Sequence, residues 1–232
     1  MRIVDITGTI QDGMWNYDLP YPEFHLKPMG NVPWADNEVY CEKFEGMNSQ
    51  TGTYIETPAH YFGNENSYLM NDVPLEKLIN MNCRLLSLDE KDYSILCSKR
   101  AITAETLERC LGDRVIEEGS AILVGTGWGK KWMKEDYLKM SPFFTTDAME
   151  WLINKKPSLI GTDFASWENI RQPAGFFPMF YKANILMLAP CINLESIAAD
   201  NLRLTVLPLK IAGTCCVPCR AILCENGCEK ND

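Results

Sequence analysis

The chain reads as an α/β protein, a single domain with a mixed β-sheet core flanked by helices, and three observations predict this. Two continuous apolar runs of strand length, Ser120-Ala121-Ile122-Leu123-Val124-Gly125 and Ser158-Leu159-Ile160-Gly161-Thr162-Asp163, have the pattern of strands buried on both faces. Short helical patterns with recognisable caps alternate with such runs. Further strand-like segments, Arg2 to Ile6, Arg203 to Ile211 and Arg220 to Cys224, lie at the two ends of the chain. Strands that alternate with helices and then end together favour a mixed sheet. At 232 residues and 46% hydrophobic, the chain can bury a sizeable core, and without a clean linker residues 1–232 read as one unit.

In chain order, the strand at Arg2 to Ile6 gives way to a turn at Thr7-Gly8-Thr9. A loop follows through Pro20, Pro22, Pro28 and Pro33, carrying Trp15, Tyr17 and Tyr21. Glu38 to Phe44 alternates, and the expectation is that it pairs with a strand over Gln50 to Glu56. Val73 to Ile79 predicts a short helix with Pro74 in its first turn. Asn82 to Leu88 predicts a strand. Thr103 is set to cap a helix that Gly112 ends. Thr146 is expected to cap a second, which Pro157 ends. Ile185 to Leu188 is another buried strand.

One stretch is dense in chemistry: Ser49-Gln50-Thr51-Gly52-Thr53-Tyr54-Ile55-Glu56-Thr57-Pro58-Ala59-His60-Tyr61. In an extended segment Gln50, Gly52, Tyr54 and Glu56 share one face, with Thr51, Thr53 and Ile55 on the other. Pro58 then interrupts the ladder and His60 follows. Two readings are open. This is a strand whose polar face and His60 line a pocket, or a half-solvated edge strand with an incidental histidine.

Charge and cysteine usage narrow the function classes. With 22 basic and 31 acidic residues the formal net charge is −9, and no basic stripe carries interleaved aromatics, which argues against a nucleic-acid partner. The longest apolar runs fall far short of a bilayer span, and the opening residues lack the pattern of a signal peptide, so the expected setting is cytoplasmic, with no membrane partner. In that setting the ten cysteines are expected as reduced thiols, half of them crowded at Cys215, Cys216, Cys219, Cys224 and Cys228. Cys216-Val217-Pro218-Cys219 is formally a C-x-x-C without a second pair, and the structural reading is preferred for it. Only His25 and His60 are present, so one chain cannot supply a three-histidine metal site.

The residues quoted so far resemble the cyclase superfamily of bacterial kynurenine formamidases and isatin hydrolases, with its swivelling β/α type of fold. The family signature H-x-G-T-H-x-D-x-P-x-H is matched here by Gln50-x-Gly52-Thr53-Tyr54-x-Glu56-x-Pro58-x-His60. Thr126-Gly127-Trp128 with Trp132, Gly161-Thr162-Asp163 with Ser166, and Pro208 to Ile211 followed by Gly213, Pro218 and Arg220 resemble further family segments in the right order. The resemblance implies a homo-dimer or homo-tetramer, a small-molecule substrate, and hydrolysis of a non-peptide C–N bond by metal-activated water. It also implies that a histidine near Phe177-Pro178 and a glutamate at the position of Ala189 complete the family's site.

The departures from that pattern carry their own prediction. Gln50, Tyr54 and Glu56 stand where the family's metal ligands stand, and His60 keeps the place of its catalytic acid/base. Nitrogen donors have become an amide and a phenol, a set too weak to hold Zn²⁺ or Mn²⁺ against hydration. No cofactor is therefore expected. Any retained metal would have to use Glu56, Gln50 and His60. The leading expectation is a divergent hydrolase of a small amide, lactam or related carbonyl compound, with Glu56 and His60 as the acid/base pair. Gln50, Tyr54, Trp15 and Trp128 are the expected substrate contacts. The alternatives are a small-molecule binding protein without catalysis, or a metal-free acid/base lyase or isomerase.

Overall fold

In the computed structural model, which describes residues 1–30, 32–35, 39–96, 99–169 and 172–225, the apolar runs become adjacent central strands. The elements in order are β1 (Arg2–Asp5), β2 (His25–Pro28), β3 (Glu42–Glu45), β4 (Tyr54–Glu56), α1 (Ala59–Phe62), β5 (Met81–Ser87), β6 (Ser94–Leu96), β7 (Lys99–Ile102) and α2 (Ala104–Leu111). They continue with β8 (Ala121–Gly125), β9 (Phe143–Phe144), α3 (Thr146–Asn154), β10 (Leu159–Thr162), α4 (Phe176–Lys182), β11 (Leu186–Ala189), β12 (Leu202–Pro208) and β13 (Cys216–Glu225).

The main sheet has the strand order β1-β13-β12-β5-β8-β10-β11-β4. Strands β5, β8, β10 and β11 run parallel, and the remaining pairings are antiparallel. β4 also pairs with β13, Ile55 opposite Val217, so the sheet closes on itself. This is the mixed α/β architecture that the sequence predicts.

Closure divides the core in two, and the pleat decides which residue goes where. On β8, Ala121 and Leu123 join one cluster with Ile55, Leu85, Leu188, Leu204 and Val206. Their neighbours Ile122 and Val124 join the other, with Leu107, Met149, Leu152 and Phe180 from the helices. The same alternation acts on β4: Ile55 packs in the first cluster, which leaves Tyr54 and Glu56 facing the helical side.

Local chemistry explains the boundaries. Thr103 caps α2 by accepting a bond from the Thr106 amide at 3.2 Å, and Gly112 ends it at φ 57°. The cap of α3 is Thr145, one residue earlier than the expected Thr146, and α3 ends before Pro157. Residues 73–79 form only a single 3₁₀ turn over Leu75–Lys77, preceded by an extended Pro74.

Two expectations about strands are also corrected. The strand after Glu38, itself outside the described residues, does not pair with residues 50–56. β3 pairs instead with β2, His25 opposite Glu45, in a separate hairpin. Both edges of β4 are already taken by β11 and β13, so none is free to receive it. Residues 50–53 are bent rather than extended, since Gly52 sits at φ 75°, and the strand proper is only Tyr54–Glu56.

The described cysteines are all free thiols; Cys97 and Cys228 lie outside the described residues. No described helix is long and apolar enough to cross a membrane.

Candidate active site

The bend at Gly52 and the strand at Tyr54–Glu56 together shape the wall of a cavity of about 530 Å³. Gln50, Tyr54, Glu56 and His60 all line it, as do Tyr17, Tyr21, Trp167, Phe177, Tyr181 and Lys99. Thr53 fixes the bend. Its hydroxyl donates to the Pro190 carbonyl at 2.6 Å and accepts from the Gly8 amide at 2.9 Å, tying the bend to the chain just beyond β1 and β11. A Cβ on Gly52 would meet Ile10 Cγ1 at 2.6 Å in a backbone conformation that favours glycine. Gly52→Ala is expected to cost about 1–3 kcal/mol of stability, and a urea titration of both proteins checks it.

Glu56 is the centre of the site. Its residue is 1% exposed. Tyr181, reaching in from α4, donates its phenol proton to Oε1 in a short hydrogen bond. Oε2 is held more loosely, by the Gln50 side-chain amide at 3.4 Å. His60 Nδ1 lies 3.7 Å from Oε2, close enough for charge attraction when protonated but too long for a direct hydrogen bond. Burial pushes the Glu56 carboxyl above its usual range; His60, the Tyr181 hydroxyl, the Cys216 thiol and Gln50 pull it back only in part. His60 belongs to α1, which starts immediately after Pro58, and its side chain is about one-third exposed at the cavity edge.

A second hydrogen-bonded pair adjoins the first. The hydroxyls of Tyr54 and Tyr17 are 2.7 Å apart, and Tyr17 donates to the Ala165 carbonyl at 3.3 Å. The donor order is therefore Tyr54 to Tyr17 to the backbone. Burial, then the neighbouring phenol and Glu56, raises the Tyr54 hydroxyl well above its ordinary value, so it stays neutral. Cys216 Sγ donates to the Ser49 carbonyl at 3.1 Å, and burial followed by Glu56 suppresses its ionisation.

These contacts bear on a metal. Each carboxylate oxygen of Glu56 already accepts a bond from the chain, Tyr54 is held protonated, and the remaining donors are one amide, one imidazole and the Cys216 thiol, whose ionisation burial and Glu56 suppress. Zinc and manganese sites need several charged or imidazole donors converging on one point, and this set does not fit such an ion. Among the described residues no group of three or more His, Cys, Asp or Glu is arranged to hold one.

Not every expected contact reaches the cavity. Trp15 and Trp128 lie in the helical-side core, packed on Tyr137 with centroid separations of 5.1 and 6.4 Å, and neither lines the wall. The indole N–H of Trp128 donates to the Tyr137 carbonyl at 3.0 Å. Residues missed in the sequence are Tyr181, Trp167 and Lys99. The expected neighbourhood of Phe177-Pro178 is the start of α4, and Phe177 does line the cavity, but Tyr181 makes the contact to Glu56. Ala189 is opposite Tyr54 on β11. The only signal for Tyr181 was a polar hydroxyl four residues after Phe177 in an otherwise apolar segment.

The closed mixed sheet, with a polar strand end facing an aromatic cavity, has clear relatives. Residues 4–169 match the sequence family described as "Putative cyclase", and the chain belongs to that family. It is 25% identical over 178 residues to Cyclase-like protein 2 of Oryza sativa subsp. japonica, covering 76% of this chain and 62% of the rice protein's length. Among solved structures it is similar to an isatin hydrolase bound to the product analogue thioisatinate, with TM-score 0.79 and 20% identity over 97% of this chain and 92% of that one. Isatin hydrolase A from Ralstonia solanacearum gives TM-score 0.80 at 19% identity over 97% and 92% of the two chains. A predicted metal-dependent hydrolase from Bacillus stearothermophilus gives 0.73 at 21% over 96% and 97%. At these identities the structural likeness is one of fold.

Proposed function

We propose that the protein is a hydrolase of a small aromatic amide, lactam or related carbonyl compound, and that it works without a metal. The observation that carries this is Glu56: a buried carboxyl on a cavity wall, anchored through Oε1 by Tyr181, with Oε2 between Gln50 and His60. Its raised pKa makes it a stronger base than a surface glutamate. The names of the structural relatives support the hydrolase class, and the aromatic walls suit a planar ligand.

In this reading Glu56 Oε2 takes a proton from the water that attacks the carbonyl carbon. The second N–H of the Gln50 amide stabilises the developing oxyanion, a role the Tyr54 hydroxyl cannot take while it donates to Tyr17. Protonated His60 delivers its proton to the leaving nitrogen as the C–N bond breaks, giving a carboxylic acid and an amine. Trp167 and Phe177 provide the walls against which a planar substrate lies.

One observation favours a second reading, a binding protein without turnover: the polar groups already satisfy one another, as they would in a site that has settled into a closed network. A panel of N-aryl formamides and aryl lactams separates the two. The hydrolase reading expects acid product to accumulate at the same rate before and after treatment with a strong chelator. Binding of panel members without turnover of any of them would establish the binding protein instead, and turnover that a chelator abolishes would overturn the metal-free mechanism.

A further inference from the structure

We propose that the open apolar face formed by the β2–β3 hairpin and the extended end of β12 is an interface, and that its occupant is a second copy of this chain. The proposal is independent of what the active-site cavity does. The hairpin is amphipathic across its two strands. Leu26 stands opposite Phe44, Lys27 opposite Lys43 and His25 opposite Glu45, so the pleat gives one face the apolar pair and the other the charged residues. The charged face is satisfied, because Lys27 and Lys43 both pair with Glu45, at 2.5 and 2.8 Å. The apolar face is not: Leu26 is 49% exposed and Phe44 60%. A two-stranded hairpin is marginally stable at best unless it packs on something. Its base is fixed to the body of the protein, where the Phe24 ring lies 6.2 Å from that of Phe44 and Asp12 accepts the Leu26 amide at 3.2 Å.

The face continues onto that body. Phe44 and Met47 share a groove of about 460 Å³ with Ile10, Leu209 and Pro218. Leu207 and Leu209, two residues apart along the extended end of β12, are 47% and 45% exposed, and Ile211 is 48% exposed. At half of roughly 200 Å² for each large side chain, Leu26, Phe44, Leu207, Leu209 and Ile211 offer roughly 500 Å². A standard interface buries about 800 Å² per partner, of which about 65% is apolar in homodimers, so the face has the size that a stable pair needs.

Charge selects the occupant. A second copy carries the same net charge of −9, so two copies repel except where that charge is locally absent. Around this face Lys27, Lys43 and Arg220 balance Glu42, Glu45 and Asp5, with Arg220 on Asp5 at 2.5 Å, and Lys210 adds one positive charge. A strongly acidic or basic partner finds no field of opposite sign to steer it there, whereas a like-charged copy is not turned away. A hairpin and a groove side by side suit a two-fold axis, on which each copy's hairpin meets the other's groove.

Analytical ultracentrifugation of the full chain tests the assignment. Wild type is expected to sediment at twice the 26.4 kDa of one chain, or at a higher even multiple. Phe44→Glu and Leu209→Glu should each raise the dissociation constant at least about 30-fold, the usual cost of losing a buried anchor. Ile95→Glu and Val115→Glu, at exposed apolar positions elsewhere, should leave it unchanged. Hydrogen exchange of wild type above and below that constant needs no variant, and the protection gained on association should concentrate in residues 26–29, 42–47 and 207–211. A wild type that remains a single chain at about 100 μM, an assembly that survives both Phe44→Glu and Leu209→Glu, or one that Ile95→Glu or Val115→Glu weakens equally overturns the proposal. If neither Phe44→Glu nor Leu209→Glu folds, the exchange map decides: protection in those three segments supports the interface, and protection elsewhere overturns it.

Discussion

Glu56→Gln is expected to lower kcat/KM by about 10²–10⁴-fold, the usual worth of a positioned general base, while leaving the fold in place. Glutamine keeps the shape and can still accept the Tyr181 bond on its carbonyl oxygen, so what it removes is the basic Oε2. His60→Ala should cost about 10²-fold or more for the same reason on the leaving-group side. The pH profile gives an independent check. Only ionised Glu56 can accept a proton, so activity should rise along an acid limb whose midpoint lies above the ordinary glutamate range, because burial raises that carboxyl in the folded protein. Tyr181→Phe deletes a bond that favours the ionised form, so its acid limb should move to still higher pH. A Glu56→Gln protein that is folded and fully active, or a Tyr181→Phe limb that moves to lower pH, would show that Glu56 is not the base.

How much of this site could be seen in the sequence depends on the distance over which its parts act. Gln50, Tyr54, Glu56 and His60 lie within eleven residues; the period-two pleat pairs Tyr54 with Glu56 and one proline leads on to His60, whereas Gln50 joins them through the bend at Gly52, which the pleat did not foretell. Tyr181 is 125 residues from Glu56 along the chain, and the contact exists only because α4 crosses the helical face of the closed sheet. Its segment, Phe176-Phe177-Pro178-Met179-Phe180-Tyr181-Lys182, is apolar on nearly every side, so it shows no amphipathic period. Trp15 and Trp128 illustrate the opposite error. Indoles near a motif look like ligand platforms, yet their size makes core packing the more favourable use. The mispaired β3 has a third cause, since local alternation marks a strand but cannot say which edge it will find.

Asp163→Ala is expected to be the most damaging substitution for stability, by about 3–5 kcal/mol, because this buried carboxylate satisfies donors of the turn that joins two family-like segments. Asp163 is fully buried at the end of β10. It accepts the Thr126 amide at 2.9 Å, the Thr126 hydroxyl at 2.7 Å and the Gly129 amide at 3.4 Å, all from the turn after β8. Each buried donor left without a partner costs about 1–3 kcal/mol. The same residue leaves a signature in pH. Burial outweighs the Thr126 and Gly129 bonds and pushes the Asp163 carboxyl up from 3.8 to about 6. Between those values the folded state binds more protons than the unfolded state, so this group's contribution to stability is full at low pH and declines as pH rises towards 6. The gap of about two pH units, at about 1.4 kcal/mol each, is worth about 3 kcal/mol. Asp163→Asn keeps the size and cannot titrate, so its stability curve should lack this decline. Other carboxylates act alike in both proteins, and the difference between wild type and Asp163→Asn, followed by urea unfolding from about pH 4 to 7, isolates the effect. A difference that stays flat, or that grows in favour of wild type as pH rises, would mean that the turn donors outweigh burial and hold Asp163 ionised.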